Sequence, residues 1–162
     1  MEKAVDSSTV ESAIKVFVYG TLKKGEPNHN WLENKSNGTA KFEGQGQTKL
    51  KYPLVVATKF NIPFLLDAGG EGNNVQGEVY EVDEKMLSNL DILEEHPRLY
   101  VRRLEDILLN GVTLKCWAYF LPKFKPELLK LKMLTSYTNN GPDSLPYCES
   151  DDDEDLSEEL FG

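Results

Sequence analysis

Alternation of apolar and polar residues runs through most of this chain, and helical spacing is sustained in one place only. Lys15–Tyr19 (KVFVY) is β-branched and aromatic, which predicts a strand ended by Gly20. The loop GTLKKGEPN follows, and Asn28 is placed to cap a short helix running to Glu33. Ser36–Thr39 reads as loop. Phe42–Thr58 predicts two strand pieces broken near Tyr52-Pro53, and Ile62–Leu66 a short apolar strand carrying Pro63. AGGEGNN, residues 68–74, is turn material. Val75–Val82 (VQGEVYEV) alternates apolar and polar, as a half-buried strand does. Leu99–Leu109 and Val112–Leu121 flank Asn110-Gly111, the strongest short-range hairpin signal a sequence can carry. A last short helix is expected over Glu127–Met133. The pattern predicts an α+β fold: a small mixed sheet, curled into a barrel, with a few short helices.

The helical stretch is Glu84–Glu95, with Asp83 as N-cap and Pro97 as stop. At about 100° per residue, Leu93, Met86, Leu90 and Leu87 share an arc of about 120°. Glu94 falls inside that arc, and Asp91 at its edge. An apolar setting disfavours the charged form of a carboxyl and raises its pKa. That makes Glu94 a candidate proton acceptor near neutral pH. The alternative places it in a frayed last turn, or beside Arg102 or Arg103.

Composition then narrows the function. Of 162 residues, 27 are acidic and 18 basic, for a formal net charge of −9. Eight of the acids lie in Glu149–Gly162, which contains no base, so the rest of the chain is close to neutral. A near-neutral body argues against nucleic-acid binding, which needs a basic face, and against an anionic membrane surface. The chain begins without an apolar leader segment, and no apolar run nears the ~18 residues of a membrane span. Cys116 and Cys148 are too few for a disulfide framework, so a reducing, cytoplasmic setting is expected. Residues 1–14 read as a flexible extension and 149–162 as a disordered acidic tail, around a domain at 15–148. No feature asks for a dimer, so a monomer is expected.

Several chemistries fail on spacing. Gly20–Gly25 has the glycine spacing of a phosphate loop, but Glu26 and Pro27 stand where Lys and Ser or Thr belong. Asp151, Asp153 and Asp155 start a calcium-loop pattern that lacks its glycine and terminal glutamate. His29 and His96 have no ligand-spaced partner. No metal or other cofactor is expected. What remains besides Glu94 is the Tyr19-Gly20-Thr21-Leu22 junction. A strand ending in Gly can turn sharply and present successive N–H groups to a small anion; it can equally be an ordinary turn.

These blocks together resemble the γ-glutamylcyclotransferase family. Val16-Phe-Val-Tyr-Gly-Thr-Leu-Lys-Lys-Gly-Glu-Pro-Asn-His29 is similar to the family's N-terminal signature. Gly77–Asp83, Leu90–Glu94 and Pro97–Arg102 resemble its second block. Tyr52–Val55, Asn61–Leu66, Ser136-Tyr137, Gly141-Pro142 and Tyr147 point to the γ-glutamylamine branch. The resemblance covers roughly residues 15–148. It implies a curled β-barrel and intramolecular aminolysis: the substrate's α-amine attacks its own γ-amide carbonyl, releasing 5-oxoproline and an amine. In that branch the substrate is ε-(γ-glutamyl)lysine and the amine is lysine. The resemblance places the catalytic carboxylate at Glu94 and the substrate loop at Tyr19, Gly20, Thr21 and Leu22. Tyr100 and Pro63 are expected near the pocket, with a cis Ile62–Pro63 bond. The alternatives are a cyclotransferase acting on γ-glutamyl amino acids, and a non-catalytic small-molecule binder of the same fold.

Overall fold

The computed structural model describes residues 13–138 and 157–161. Five strands close into a barrel in the order β1 (Ile14–Val18), β5 (Asn73–Val82), β2 (Ala40–Tyr52), β6 (Val101–Leu109) and β7 (Val112–Phe120). All neighbours are antiparallel except β1 and β7, which close the ring in parallel at Val16 and Trp117. A separate hairpin pairs β3 (Leu54–Ala57) with β4 (Ile62–Leu65). The α-helices are α1 (Asn30–Glu33), α2 (Glu84–Leu93) and α3 (Ser157–Phe161), and short 3-10 segments lie at Lys35–Asn37 and Pro126–Lys130.

Strand alternation sorts the core into two layers. Phe17 and Tyr19 enter the barrel interior with Val79, Ile107, Cys116, Ala118 and Phe120. Val16 and Val18, one residue out of phase, pack outside the barrel with Met86 and Leu90 of α2. The buried stripe of α2 thus fixes the helix against β1, with Leu87 and Leu93 at its margins. Asp83 caps the helix, its carboxylate accepting from the Met86 N–H at 2.8 Å. The β6–β7 hairpin turns at Asn110 and Gly111, with φ of 51° and 80°. Two successive positive φ values are the geometry that an Asn-Gly turn supplies.

Five expectations are corrected. First, α1 starts at Asn30 with His29 as its N-cap, and the Asn28 side chain donates to Thr21 Oγ1 at 2.9 Å, bracing the loop. Second, α2 ends at Leu93, and Glu94 is its C-cap. Third, the cis bond is His96–Pro97 and not Ile62–Pro63. Pro63 sits within the extended β4, paired with Val56, which the trans form accommodates. Fourth, Ser157–Phe161, within the segment read as a tail, forms a short helix. Helix α3 buries Leu160 beside Leu128, and the Leu160 carbonyl accepts from the Lys125 N–H at 2.6 Å. The Glu159 carboxylate accepts from the Lys59 N–H at 2.8 Å. Fifth, Ile14, counted in the N-terminal extension, belongs to β1. Residues 1–12, Gly141-Pro142, Tyr147, Cys148 and 149–156 lie outside the described residues.

Candidate active site

The chain leaves β1 at Tyr19 and turns back on itself. Gly20 carbonyl accepts from the Lys23 N–H at 3.1 Å, and Thr21 carbonyl from the Asn28 N–H at 2.8 Å. Leu22 carbonyl contacts His29 Nδ1 at 2.8 Å. Three successive carbonyls are therefore engaged within the loop. In a trans peptide the N–H lies opposite the C=O, so the Thr21 and Leu22 amides point away from those bonds. Gly20 is required sterically as well. A Cβ there would lie 2.9 Å from Pro63 Cγ. The Tyr19 hydroxyl donates to the Tyr119 carbonyl at 2.6 Å and pins the start of the loop to β7.

This loop forms one wall of a cavity of about 340 Å³. The cavity is also lined by Pro63 and Phe64 of β4, Leu93–Glu95 at the end of α2, Leu99, Tyr100 and Tyr119. Glu94 and Tyr19–Leu22 thus face a single enclosure, as do Tyr100 and Pro63. Tyr100 stacks on Phe64 with ring centroids 5.7 Å apart, and its hydroxyl donates to the Pro63 carbonyl at 3.4 Å. Trp31 and Ile62 widen the apolar lining. At the rim Glu95 and Arg98 form an exposed ion pair.

Burial raises the Glu94 carboxyl to about 7. Neither Arg102 nor Arg103 is its partner. Arg102 pairs with Asp91, and Arg103 with Asp67 and Glu105. At neutral pH such a carboxylate is present in both protonation states, the condition for taking up a proton and returning it. The Tyr19 phenol is held well above its usual range by burial, then by the Glu94 charge. The Tyr119 phenol is raised by burial and by its hydrogen bond to Asp91. Both therefore stay protonated beside Glu94.

The lysines next to the loop do not reach into the cavity. Lys23 Nζ donates to the Tyr137 carbonyl and to Ser136 Oγ, and Lys24 lies over the Phe42 ring at 3.5 Å. Sequence reasoning missed Tyr119, Trp31 and Asn28. The phase of β7 offered a signal for Tyr119, since Ala118 and Phe120 face the barrel interior and put Tyr119 on the α2 side.

A family model described as γ-glutamyl cyclotransferase, AIG2-like, matches residues 16–139. The chain belongs to this family. A Drosophila melanogaster protein provisionally named a γ-glutamylcyclotransferase is 54% identical over 138 residues, covering 85% of this chain and 87% of that protein. A Bos taurus protein named γ-glutamylaminecyclotransferase is 46% identical over 134 residues, covering 82% and 80%. The crystal structure of an AIG2-like protein from Mus musculus superimposes with a TM-score of 0.83 at 40% identity, covering 86% of this chain and 98% of that one. The barrel is the fold of that AIG2-like protein, and the chain is an enzyme of the cyclotransferase type. No helix among the described residues is long and apolar enough to cross a membrane.

Proposed function

We propose that this enzyme converts ε-(γ-glutamyl)lysine to 5-oxoproline and lysine, with Glu94 moving the protons. The observation that carries this reading is one desolvated carboxylate, Glu94, facing the Tyr19–Leu22 loop across one cavity. The substrate's α-carboxylate lies against the Thr21 and Leu22 amides, which folds the glutamyl chain back and brings its α-amine near its γ-carbonyl. Glu94 takes a proton from the α-ammonium. The freed amine attacks the γ-carbon, closing the five-membered ring. As the bond from that carbon to the lysyl ε-nitrogen breaks, Glu94 returns the proton, and the nitrogen departs as an amine rather than an amide anion; the second proton of the attacking nitrogen then passes through Glu94 to that amine, which leaves as an ammonium and leaves the ring a neutral lactam.

The choice of a γ-glutamylamine over a γ-glutamyl amino acid is supported by the apolar lining at Trp31, Ile62, Leu93 and Leu99. A lysyl side chain offers four methylenes to such a wall, and each buried CH₂ contributes about 0.8 kcal/mol. An alanine leaving group offers almost none, and it brings a carboxylate next to the scissile amide. Release of 5-oxoproline from ε-(γ-glutamyl)lysine and from γ-glutamylalanine tests the assignment. We expect kcat/KM for the lysine isopeptide to be at least tenfold the higher. A preference for the dipeptide would reassign the substrate class, and inertness toward both would leave a binding module. A role in proton transfer further predicts that kcat/KM climbs with pH to a bend near 7.

A further inference from the structure

Three carboxylates stand near the end of helix α2: Glu94 lines the cavity, and Glu95 lies at its rim, paired with Arg98. The third, Asp91, one turn before Glu94, faces the barrel instead. Arg102 of β6 grips Asp91 with two nitrogens, Nε to Oδ1 at 2.7 Å and Nη2 to Oδ2 at 3.1 Å. The Tyr119 hydroxyl of β7 donates to Asp91 Oδ1 at 2.6 Å. The Arg102 guanidinium lies over the Trp117 ring at 4.4 Å, and the Arg102 N–H donates to His96 Nδ1 at 3.2 Å. Tyr119 in turn holds the substrate loop, through its carbonyl and the Tyr19 hydroxyl. The end of α2, two barrel strands and the loop therefore meet at one cluster.

Glu94 needs such support. Among the described residues no side-chain hydrogen bond fixes its carboxylate, and its place is set by its backbone. The Glu94 N–H donates to the Leu90 carbonyl at 2.9 Å, so the carboxylate sits wherever the last turn of α2 sits. The hydrogen bonds at Asp91 are the polar ties from that turn to β6 and β7.

We propose that Asp91 is a positioning residue: gripped by Arg102 and Tyr119, it fixes the last turn of α2 and so aims Glu94 at substrate held by the Tyr19–Leu22 loop. The proposal rests on the proton-transfer reading of Glu94 given above. It concerns orientation, where a displacement of about 1 Å can change a rate about 100-fold. Burial pushes the Asp91 carboxyl up, but the bonds from Arg102 and Tyr119 outweigh it and hold the group ionised. The charged or titratable groups around Glu94 are the Tyr19, Tyr100 and Tyr119 phenols, the Asp91–Arg102 pair, His96 and the Glu95–Arg98 pair.

Asp91→Asn keeps the shape and removes the charge. Arg102→Lys keeps the charge and removes the two-pronged grip. For each, steady-state release of 5-oxoproline is measured across pH, with inhibition by added 5-oxoproline as a probe of the loop. The expected result is a 10- to 100-fold fall in kcat, with KM and 5-oxoproline inhibition within threefold of wild type. The acid limb of kcat/KM should also move at least one pH unit lower, because a loosened last turn admits water to Glu94. Wild-type kcat in both variants would overturn the proposal. So would a fall in kcat that merely tracks the folded fraction, with the limb unmoved. If Asp91→Asn does not fold, Arg102→Lys decides alone. Failure of the underlying reading looks different: wild type then releases no 5-oxoproline, or Glu94→Gln matches it, and the proposal falls with it.

Discussion

Glu94→Gln is expected to lower kcat for 5-oxoproline release by about 1,000-fold while substrate still binds. Glutamine keeps the size of the side chain and its place at the end of α2, but it cannot accept a proton from an ammonium or hand one to a leaving amine. General acid–base catalysis contributes about 10²–10⁴-fold, and here one group serves both steps. Binding should survive because, in the function proposed above, the α-carboxylate lies against the Thr21 and Leu22 amides, on a loop braced by its own bonds to Lys23, Asn28 and His29. Calorimetric affinity within threefold of wild type, with catalysis lost, is the pattern to look for. A variant that turns over at the wild-type rate would remove Glu94 from the mechanism.

The same substitution should make the protein more stable at alkaline pH. Burial holds the Glu94 carboxyl at about 7 in the fold, against 4.5 for the ordinary group. Between those two values the folded chain keeps a proton that the unfolded chain has released. Stability therefore falls as pH rises through this window, and the full penalty is present above pH 7. A gap of that size is worth at most about 3 kcal/mol. Glu94 retains some solvent contact, so about 2 kcal/mol is the expected effect. A glutamine side chain at this position has no charge to desolvate. At pH 8.5 the variant should melt about 5 °C above wild type, and at pH 5 the two should melt almost together. Equal melting at both pH values would mean that the carboxylate is well hydrated in the fold. Activity and stability pull in opposite directions here, as expected where a functional site keeps a polar group desolvated.

Much of this site is legible in the sequence. The 3.6-residue spacing of Met86, Leu87, Leu90 and Leu93 sets the phase of α2, and that phase turns Glu94 inward. Tyr19-Gly20-Thr21 marks a strand end that only glycine can make, and Pro63 pressed against Gly20 supplies the steric reason. Asn110-Gly111 places the β6–β7 hairpin to the residue. What escapes are pairings between residues far apart in sequence. Asp91 and Arg102 belong to different elements, and nothing in either segment states that they meet. Arg102 reads instead as a possible partner for Glu94. Tyr119 is missed because its role needs three elements at once. The C-terminal Leu160 is misjudged because one apolar residue among acids has no periodicity, and only the cleft beside Leu128 gives it a place.

The pH dependence of kcat/KM for 5-oxoproline release from ε-(γ-glutamyl)lysine, followed from pH 5 to 8.5 in the wild-type enzyme, tests the central claim most directly. A desolvated Glu94 that must be ionised to accept the proton predicts a tenfold rise per pH unit that bends near 7. A profile already flat above pH 5, with its bend near the ordinary carboxylate value, would contradict it.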